Sequence, residues 1–402
     1  MSENTIKVNV PGFQPGELEK LIPKWPIIYP ETDLRLLEVY HSGQWSHCSK
    51  YETLLMEEFA AFQTAKYAIW MCNGTTTLEC SLIAMGIGPG DEVIVPGVTW
   101  IATAEAAVYV GATPVIVDID PETLCIDPAK IEEAITPRTK AIIPVHLYSA
   151  MADMDKINAI AKKHNLFVIE DCAHAHGMRQ HGKGAGSIGD VGSFSFQSSK
   201  LMTGGEGGCC TTNDPVLADK IFRVSHIGNS KMHPKDPLET GLVCHQYRFT
   251  EFQAAIIYDQ LQHQAENRDI RRKNAAIISE YIKDLPAVSM QRTSCPDDLR
   301  DYYFLTFLLH PEFLKEGVDR QQIFIALGEK GIGLGTGWGV PLYKSVVWNL
   351  PENCFVKHNT DVCEDVMFKR LMCTSHSLLR ADTSVIERWA ETFRAVIAAY
   401  SK

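Results

Sequence analysis

The chain predicts an α/β fold, with a large unit built on a mostly parallel sheet covered by helices and a smaller α+β unit after it. Three observations predict this. Short apolar runs alternate with helical patterns between residues 67 and 169. Those runs are almost continuously apolar, as in strands buried on both faces. After Lys200 the alternation stops and longer helical patterns take over.

Residues 1–30 read as an arm, because Pro11, Pro15, Pro23, Pro26 and Pro30 interrupt any helix. The large unit is expected over 31–262 and the small one over 263–402. Leu54, Leu55, Phe59 and Phe62 repeat at helical spacing. Strands then read at 67–71, 92–96, 114–117, 141–145 and 166–169. Helices read at 75–85, 102–110, 129–134 and 154–164. Two helices, 249–261 and 267–282, bridge to the small unit. There a strand (302–309), a helix (320–330), a glycine-rich stretch (331–339) and a last helix (385–400) follow.

Hydrophobic residues make up 45% of the 402 and charged residues 22%, the composition of a globular protein with a large core. A net charge of -11 argues against general nucleic-acid binding, which needs a basic face. No apolar run approaches bilayer-spanning length. The polar, proline-interrupted N-terminus does not read as a secretory signal. The twelve cysteines form no C-x-x-C pair, and several lie in or beside expected buried strands. They read as free thiols in a reducing cytoplasm, not as disulfides or a zinc site.

In parallel sheets, ligands bind beyond the carboxyl ends of the strands. Four segments carry chemistry at such ends. Asn73-Gly74-Thr75-Thr76-Thr77 follows the first strand and opens a helix, so its free N–H groups suit an anion, or serve as an ordinary helix cap. Trp100 follows the second strand. Its indole suits stacking on a flat heterocycle, or simple core packing. Asp171 ends the strand before Cys172-Ala173-His174-Ala175-His176. Its carboxylate suits a protonated ring nitrogen, or a cap or ion pair. The i, i+2 histidines do not converge on a metal as an i, i+4 helical pair does, and no metal is expected.

The fourth segment runs from Ser193 to Gly208. An apolar strand leads to Lys200, and Gly204, Gly205, Gly207 and Gly208 follow. A lysine there can lose its proton by desolvation and form a Schiff base with a carbonyl. The alternative is a solvated surface lysine. Ser195, five residues earlier, either donates to the same ligand or is satisfied by backbone.

Together these segments resemble the fold-type I, pyridoxal-phosphate-dependent aminotransferases of the DegT/DnrJ/StrS type, which aminate keto-sugars and related ketones. Asn73-Gly74-Thr75, Gly86 to Pro96, Glu170 to Gly177 and Ser195 to Gly208 carry the resemblance, which runs from Gly43 to Gln262 and more weakly beyond. It implies that Lys200 bonds the cofactor aldehyde and that Asp171 pairs with the pyridine nitrogen. Trp100 then stacks on the ring and His174 approaches its phenolic oxygen. Gly74, Thr75, Thr76 and Ser195 form the phosphate site. A Gly-x-Asn-x-Arg stretch of the family, supplied by the neighbouring subunit, aligns with Cys244-His245-Gln246-Tyr247-Arg248. Gln246 therefore stands where the family has asparagine. Sharing sites in this way implies a homodimer, with small-molecule amino donor and keto-acceptor and no nucleic acid or membrane partner.

Gln197-Ser198-Ser199-Lys200-Leu201-Met202-Thr203 looks like the branch containing glutamine:scyllo-inosose aminotransferases and 3-amino-5-hydroxybenzoate synthase. That implies transfer from L-glutamine or L-glutamate to a keto-cyclitol or keto-sugar, in cyclitol, amino-sugar or antibiotic biosynthesis. Trp45, His146, Arg248 and His376 are the expected acceptor-side residues. The alternatives are an aromatising synthase that keeps the lysine, and a non-enzymatic cofactor-binding regulator.

Overall fold

The computed structural model describes residues 6, 8–230, 242–295 and 298–402. Most of the polar segment 228–243, readable as a loop over the site or as plain surface, lies outside the described residues. Along the chain the strands are β1 (Tyr67–Met71), β2 (Glu92–Pro96), β3 (Thr113–Val117), β4 (Thr139–Ile142), β5 (Phe167–Asp171), β6 (Arg179–Gln180), β7 (Lys183–Gly184), β8 (Val191–Ser195), β9 (Gly208–Thr212), β10 (Val288–Met290), β11 (Phe304–Leu309), β12 (Val356–Lys357) and β13 (Leu371–Ser375).

Eight of them form one sheet in the order β1-β9-β8-β5-β4-β2-β3-β12. β9 runs antiparallel to both its neighbours, and the other pairings in this sheet are parallel. The apolar runs explain this arrangement. Val93 and Val95 of β2 enter one core while Ile94 enters another. The period-two pleat thus feeds hydrophobic layers on both faces, each covered by helices. β10, β11 and β13 form a second, antiparallel sheet in the C-terminal part.

Several helices start where a side chain satisfies orphan N–H groups. Asn73 Oδ1 accepts from Thr76 N (3.0 Å) at the start of the helix Gly74–Ala84. Asp153 caps Met154–His164, and Asn165 ends it in the left-handed conformation (φ 54°).

The sequence expectation of two helices at 249–261 and 267–282 is corrected. One helix of 32 residues, Glu251–Ile282, runs through both, opened by a Thr250–Gln253 capping box. Residues 262–266 contain no proline or glycine to break it. The helix crosses the expected 262/263 boundary, and its later half carries the small sheet. The arm also differs from expectation. Glu17–Leu21 is a short helix between Pro15 and Pro23. Phe13 and Leu18 are buried with Phe307 and Trp389, so the arm is built into the C-terminal core. β12 likewise returns from the C-terminal part to the edge of the large sheet, beside β3.

Among the described residues no helix is long and apolar enough to cross a membrane. Cys172, Cys209 and Cys210 are buried free thiols.

Inside the joint between the long helix and the small sheet, Arg271 and Asp301 form an ion pair with both side chains fully buried (Nη2–Oδ2 2.6 Å, Nε–Oδ1 2.6 Å). Asp301→Ala leaves the guanidinium buried without its counter-charge. Denaturant unfolding is expected to show a loss of about 3–5 kcal/mol.

Candidate active site

The carboxyl ends of β1, β2, β5 and β8 open on one edge of the sheet, and the segments following them line a single cavity of about 390 Å³. Asn73–Thr75, Thr99 and Trp100, Asp171 with His174, and Ser195 with Lys200 supply the large-unit walls. Tyr303 and Trp338 close it from the C-terminal side.

Lys200 sits at the end of a tight turn, its N–H donating to Gln197 O (2.8 Å). Its Nζ stands 4.7 Å from the Tyr303 ring centroid. Burial lowers the amine to about 8 from an ordinary 10.5, with the charge of Asp171 acting the other way. About a tenth of this lysine is therefore neutral, and nucleophilic, at pH 7, far more than of an ordinary lysine.

Asp171 is buried. Its Oδ2 accepts from Thr103 Oγ1 (2.9 Å) and its Oδ1 from Ala173 N (3.1 Å). Thr99 and Thr103 hydroxyls are in turn 2.8 Å apart. Burial raises the Asp171 carboxyl above its usual range, against these hydrogen bonds and the Lys200 charge, which lower it. Its charge is costly where it stands, so a facing cation is stabilised there.

His174 is buried and stacked on Tyr303 (3.9 Å between centroids, 15° between planes). Burial and the Lys200 charge hold it well below the usual histidine range, so it is neutral. Tyr148 N donates to its Nδ1 (3.3 Å), which places the ring proton on Nε2.

One end of the cavity depends on bare backbone. A Cβ on Gly74 would stand 2.7 Å from Ser195 Cβ, and one on Gly208 would stand 2.2 Å from Asn73 O. Glycine at both places lets the start of the helix Gly74–Ala84, Ser195 and the glycine-rich return into β9 close on one point. There the free N–H groups and the helix dipole favour an anion.

Of the residues expected from sequence, Lys200, Asp171, Gly74, Thr75, Trp100, His174 and Ser195 come together on this cavity. Thr76, Gln246, Trp45, His146, Arg248 and His376 are not among its walls. The Thr76 hydroxyl and N–H both bond Asn73. His146 is buried, its Nε2 on Glu170 Oε2 (2.8 Å) and its Nδ1 accepting from Ala152 N (3.1 Å). Trp45 is half exposed and donates to Tyr40 O (3.0 Å). Gln246 is exposed and bridges His226, and Arg248 is half-buried nearby. His376 lies behind the Lys200 turn, 3.2 Å from Ser199 O.

Three residues at the site escape the sequence reading. Thr103 had a local signal, because it falls one helical turn after Thr99. Tyr303 and Trp338 had none, lying over a hundred residues from Lys200 in a part of the chain without a motif.

A parallel sheet with a desolvated lysine and a buried aspartate at its carboxyl edge defines a transferase of fold type I. The chain belongs to the DegT/DnrJ/EryC1/StrS aminotransferase family, whose model matches residues 26–387. It is 40% identical over 299 residues to an L-glutamine:2-deoxy-scyllo-inosose aminotransferase of Streptoalloteichus tenebrarius, covering 69% of each chain. It is 50% identical over 256 residues to a GDP-perosamine synthase of Caulobacter vibrioides, covering 63% of this chain and 68% of that one. Among solved structures, an aminotransferase from Psychrobacter cryohalolentis matches with a TM-score of 0.86 and 32% identity, over 94% of this chain and 99% of that one. A 3-amino-5-hydroxybenzoic acid synthase matches with a TM-score of 0.83 and 29% identity, over 94% and 98%.

Asp171 supports the protonated form of Lys200. In the cofactor-free protein, Asp171→Asn is therefore expected to move the Lys200 amine further below about 8. The pH dependence of its acylation, read by peptide mass, measures the shift. An unchanged or higher midpoint contradicts this account of the pair.

Proposed function

We propose that this aminotransferase uses pyridoxal 5′-phosphate to move an amino group from L-glutamine or L-glutamate to a cyclic ketone, a keto-cyclitol such as scyllo-inosose or a keto-sugar. One observation carries the reading: a desolvated amine at Lys200 and a desolvated carboxylate at Asp171 line the same cavity.

The residues present fit the cofactor. Gly74, Thr75 and Ser195 form the anion cradle, Trp100 offers a half-exposed indole, and Asp171 awaits a cation. When bound, pyridoxal phosphate supplies an electron sink for the carbon being deprotonated. The chain's own residues do the rest. Lys200 Nζ is the attachment point and then the base that takes the donor's α-proton and returns it. Asp171 favours positive charge facing it, and the Thr99–Thr103 hydroxyls hold its carboxylate in one orientation. His174 offers Nε2–H as a neutral donor that does not titrate in the working range. Tyr303 and Trp338 wall out water on the C-terminal side.

The keto-cyclitol arm rests on the likeness to L-glutamine:2-deoxy-scyllo-inosose aminotransferases. The keto-sugar arm rests on the 50% identity to GDP-perosamine synthase. An aromatising reaction is a second reading, favoured by the whole-chain likeness to 3-amino-5-hydroxybenzoic acid synthase. The proposal includes a homodimer, in which Trp45, Gln246 and Arg248, placed outside the cavity of their own chain, face a partner's site. It also includes division into an arm (1–30) packed on the C-terminal core, a large unit (31–262) and a small unit (263–402), with the helix Glu251–Ile282 shared by the last two. The free thiols support a reducing, cytoplasmic location.

Purified protein loaded with cofactor is offered L-glutamine together with scyllo-inosose, GDP-4-keto-6-deoxymannose or an aminodehydroshikimate-type acceptor. Mass and ultraviolet spectra of the products separate the three arms. Lys200→Ala is expected to lose the visible chromophore of the bound cofactor and to slow turnover by a factor on the order of 10² to 10⁴. Full turnover in that variant removes the proposal.

A further inference from the structure

The turn that presents Lys200 is held from outside by three segments remote in sequence. The arm reaches it first. Trp25 Nε1–H donates to Ser198 O (2.8 Å), a contact spanning 173 positions. From the C-terminal side, His376 Nε2 lies 3.2 Å from Ser199 O, spanning 177 positions. The Tyr303 hydroxyl lies 2.8 Å from Ser199 Oγ. Trp25 and His376 also touch each other edge to face, with ring centroids 4.5 Å apart and planes at 83°.

These contacts fall on particular atoms. Ser198 O and Ser199 O are the carbonyls of the two peptide units that lead into Lys200. A peptide unit is planar, so fixing its carbonyl fixes its whole orientation. Donors on both carbonyls therefore set the direction in which the Lys200 side chain leaves the backbone. His376 is suited to this role because burial and the Arg271 charge lower it to about 3. It remains a neutral donor, with its Nε2 proton directed at the carbonyl. Within the turn, Gln197 adds a local frame: its Oε1 accepts from Ser199 N (2.9 Å) and Oγ (2.7 Å), and its Nε2 donates to Ser198 Oγ (2.8 Å). Ser199 Oγ gives its proton to Gln197, so the Tyr303 hydroxyl is the donor in the third contact.

We propose that Trp25 and His376 are positioning residues that lock the Ser198–Ser199 peptides and so aim the Lys200 amine at its electrophile. The arm is then part of the catalytic apparatus without touching substrate, and His376 acts through the Lys200 backbone, not as a wall of the acceptor pocket. The inference rests on the proposed attachment of pyridoxal phosphate to Lys200.

The test uses full-length protein freed of cofactor. Pyridoxal 5′-phosphate is added, the adduct is trapped with borohydride at timed intervals, and the labelled lysine is identified by peptide mass. Trp25→Phe keeps an aromatic edge on His376 but loses the N–H donor, and His376→Leu loses the other donor. Each is expected to slow trapping at Lys200 by about three- to ten-fold, the effect of one lost hydrogen bond. In the loaded enzyme, kcat is expected to fall while KM for L-glutamine holds. His376→Gln, which restores an N–H donor, is expected to recover most of the rate. Thermal melts run alongside. Trapping at the parent rate in Trp25→Phe and His376→Leu overturns the inference. So does slowing that merely follows melting temperature, with His376→Gln as slow as His376→Leu. A parent protein that traps cofactor elsewhere than Lys200 overturns the proposed function and this inference together. Trapping at Lys200 with unaffected variants removes this inference alone.

Discussion

The site depends on taking one amine and one carboxylate out of water together. Desolvation disfavours the charged form of each, lowering Lys200 to about 8 and raising Asp171. Their mutual attraction opposes both shifts and does not cancel them. The protein thus holds two groups that are less than fully stabilised as they stand. On the proposed function, an electrophilic carbonyl at Lys200 and a cation facing Asp171 would relieve both at once. The shifts are in this sense a description of the ligand the cavity favours.

Topology makes that pairing affordable. Parallel strands put the carboxyl ends of β1, β2, β5 and β8 on one edge, so residues 73, 100, 171 and 200 meet although they are far apart in sequence. β9 is the exception that completes the edge. Because it runs antiparallel, its glycine-rich lead-in begins where the other strands end, and Gly208 passes Asn73 O at a distance no side chain allows. Behind this edge, the buried Glu170 accepts from the N–H groups of Gly186, Ile188 and Gly189 (2.9, 2.8 and 2.6 Å) and contacts His146. The residue before Asp171 is thereby anchored deep in the sheet, which leaves Asp171 little freedom to turn away from the cavity.

What could be read from sequence follows the range of the forces involved. β2, the helix Met154–His164 and the strand end at Asp171 were legible because apolar runs, caps and strand ends are local signals. The break expected between residues 261 and 267 is absent, because one helix runs through it. In the structure, Gln264 bonds Asp301, Asn267 bonds Tyr29 and Arg271 bonds Asp301. A helix that buries polar side chains against tertiary partners shows no amphipathic period to read. The same limit hid Tyr303 and Trp338, whose place at the cavity is fixed by the packing of the C-terminal part on the large sheet. It also explains His376, whose resemblance-based expectation was nearness to the acceptor. The structure places it one peptide away from Lys200, on the far side of the turn.

That turn shows why such long-range contacts matter to the chemistry. Nothing in Ser198-Ser199-Lys200 restricts φ as a proline would, and serine side chains compete readily for local backbone partners. Left to itself, such a tripeptide samples several conformations, and a lysine with four methylenes amplifies each change at its tip. Gln197 narrows the choice by bonding both serines, yet its own backbone belongs to the same loop and moves with it. An external frame is therefore required. The donors that supply it come from the arm and from the C-terminal part, elements already joined through the core containing Phe13, Phe307 and Trp389. The loop that carries Lys200 is in this way framed by contacts from both ends of the chain, although the lysine and its neighbours lie within a single turn.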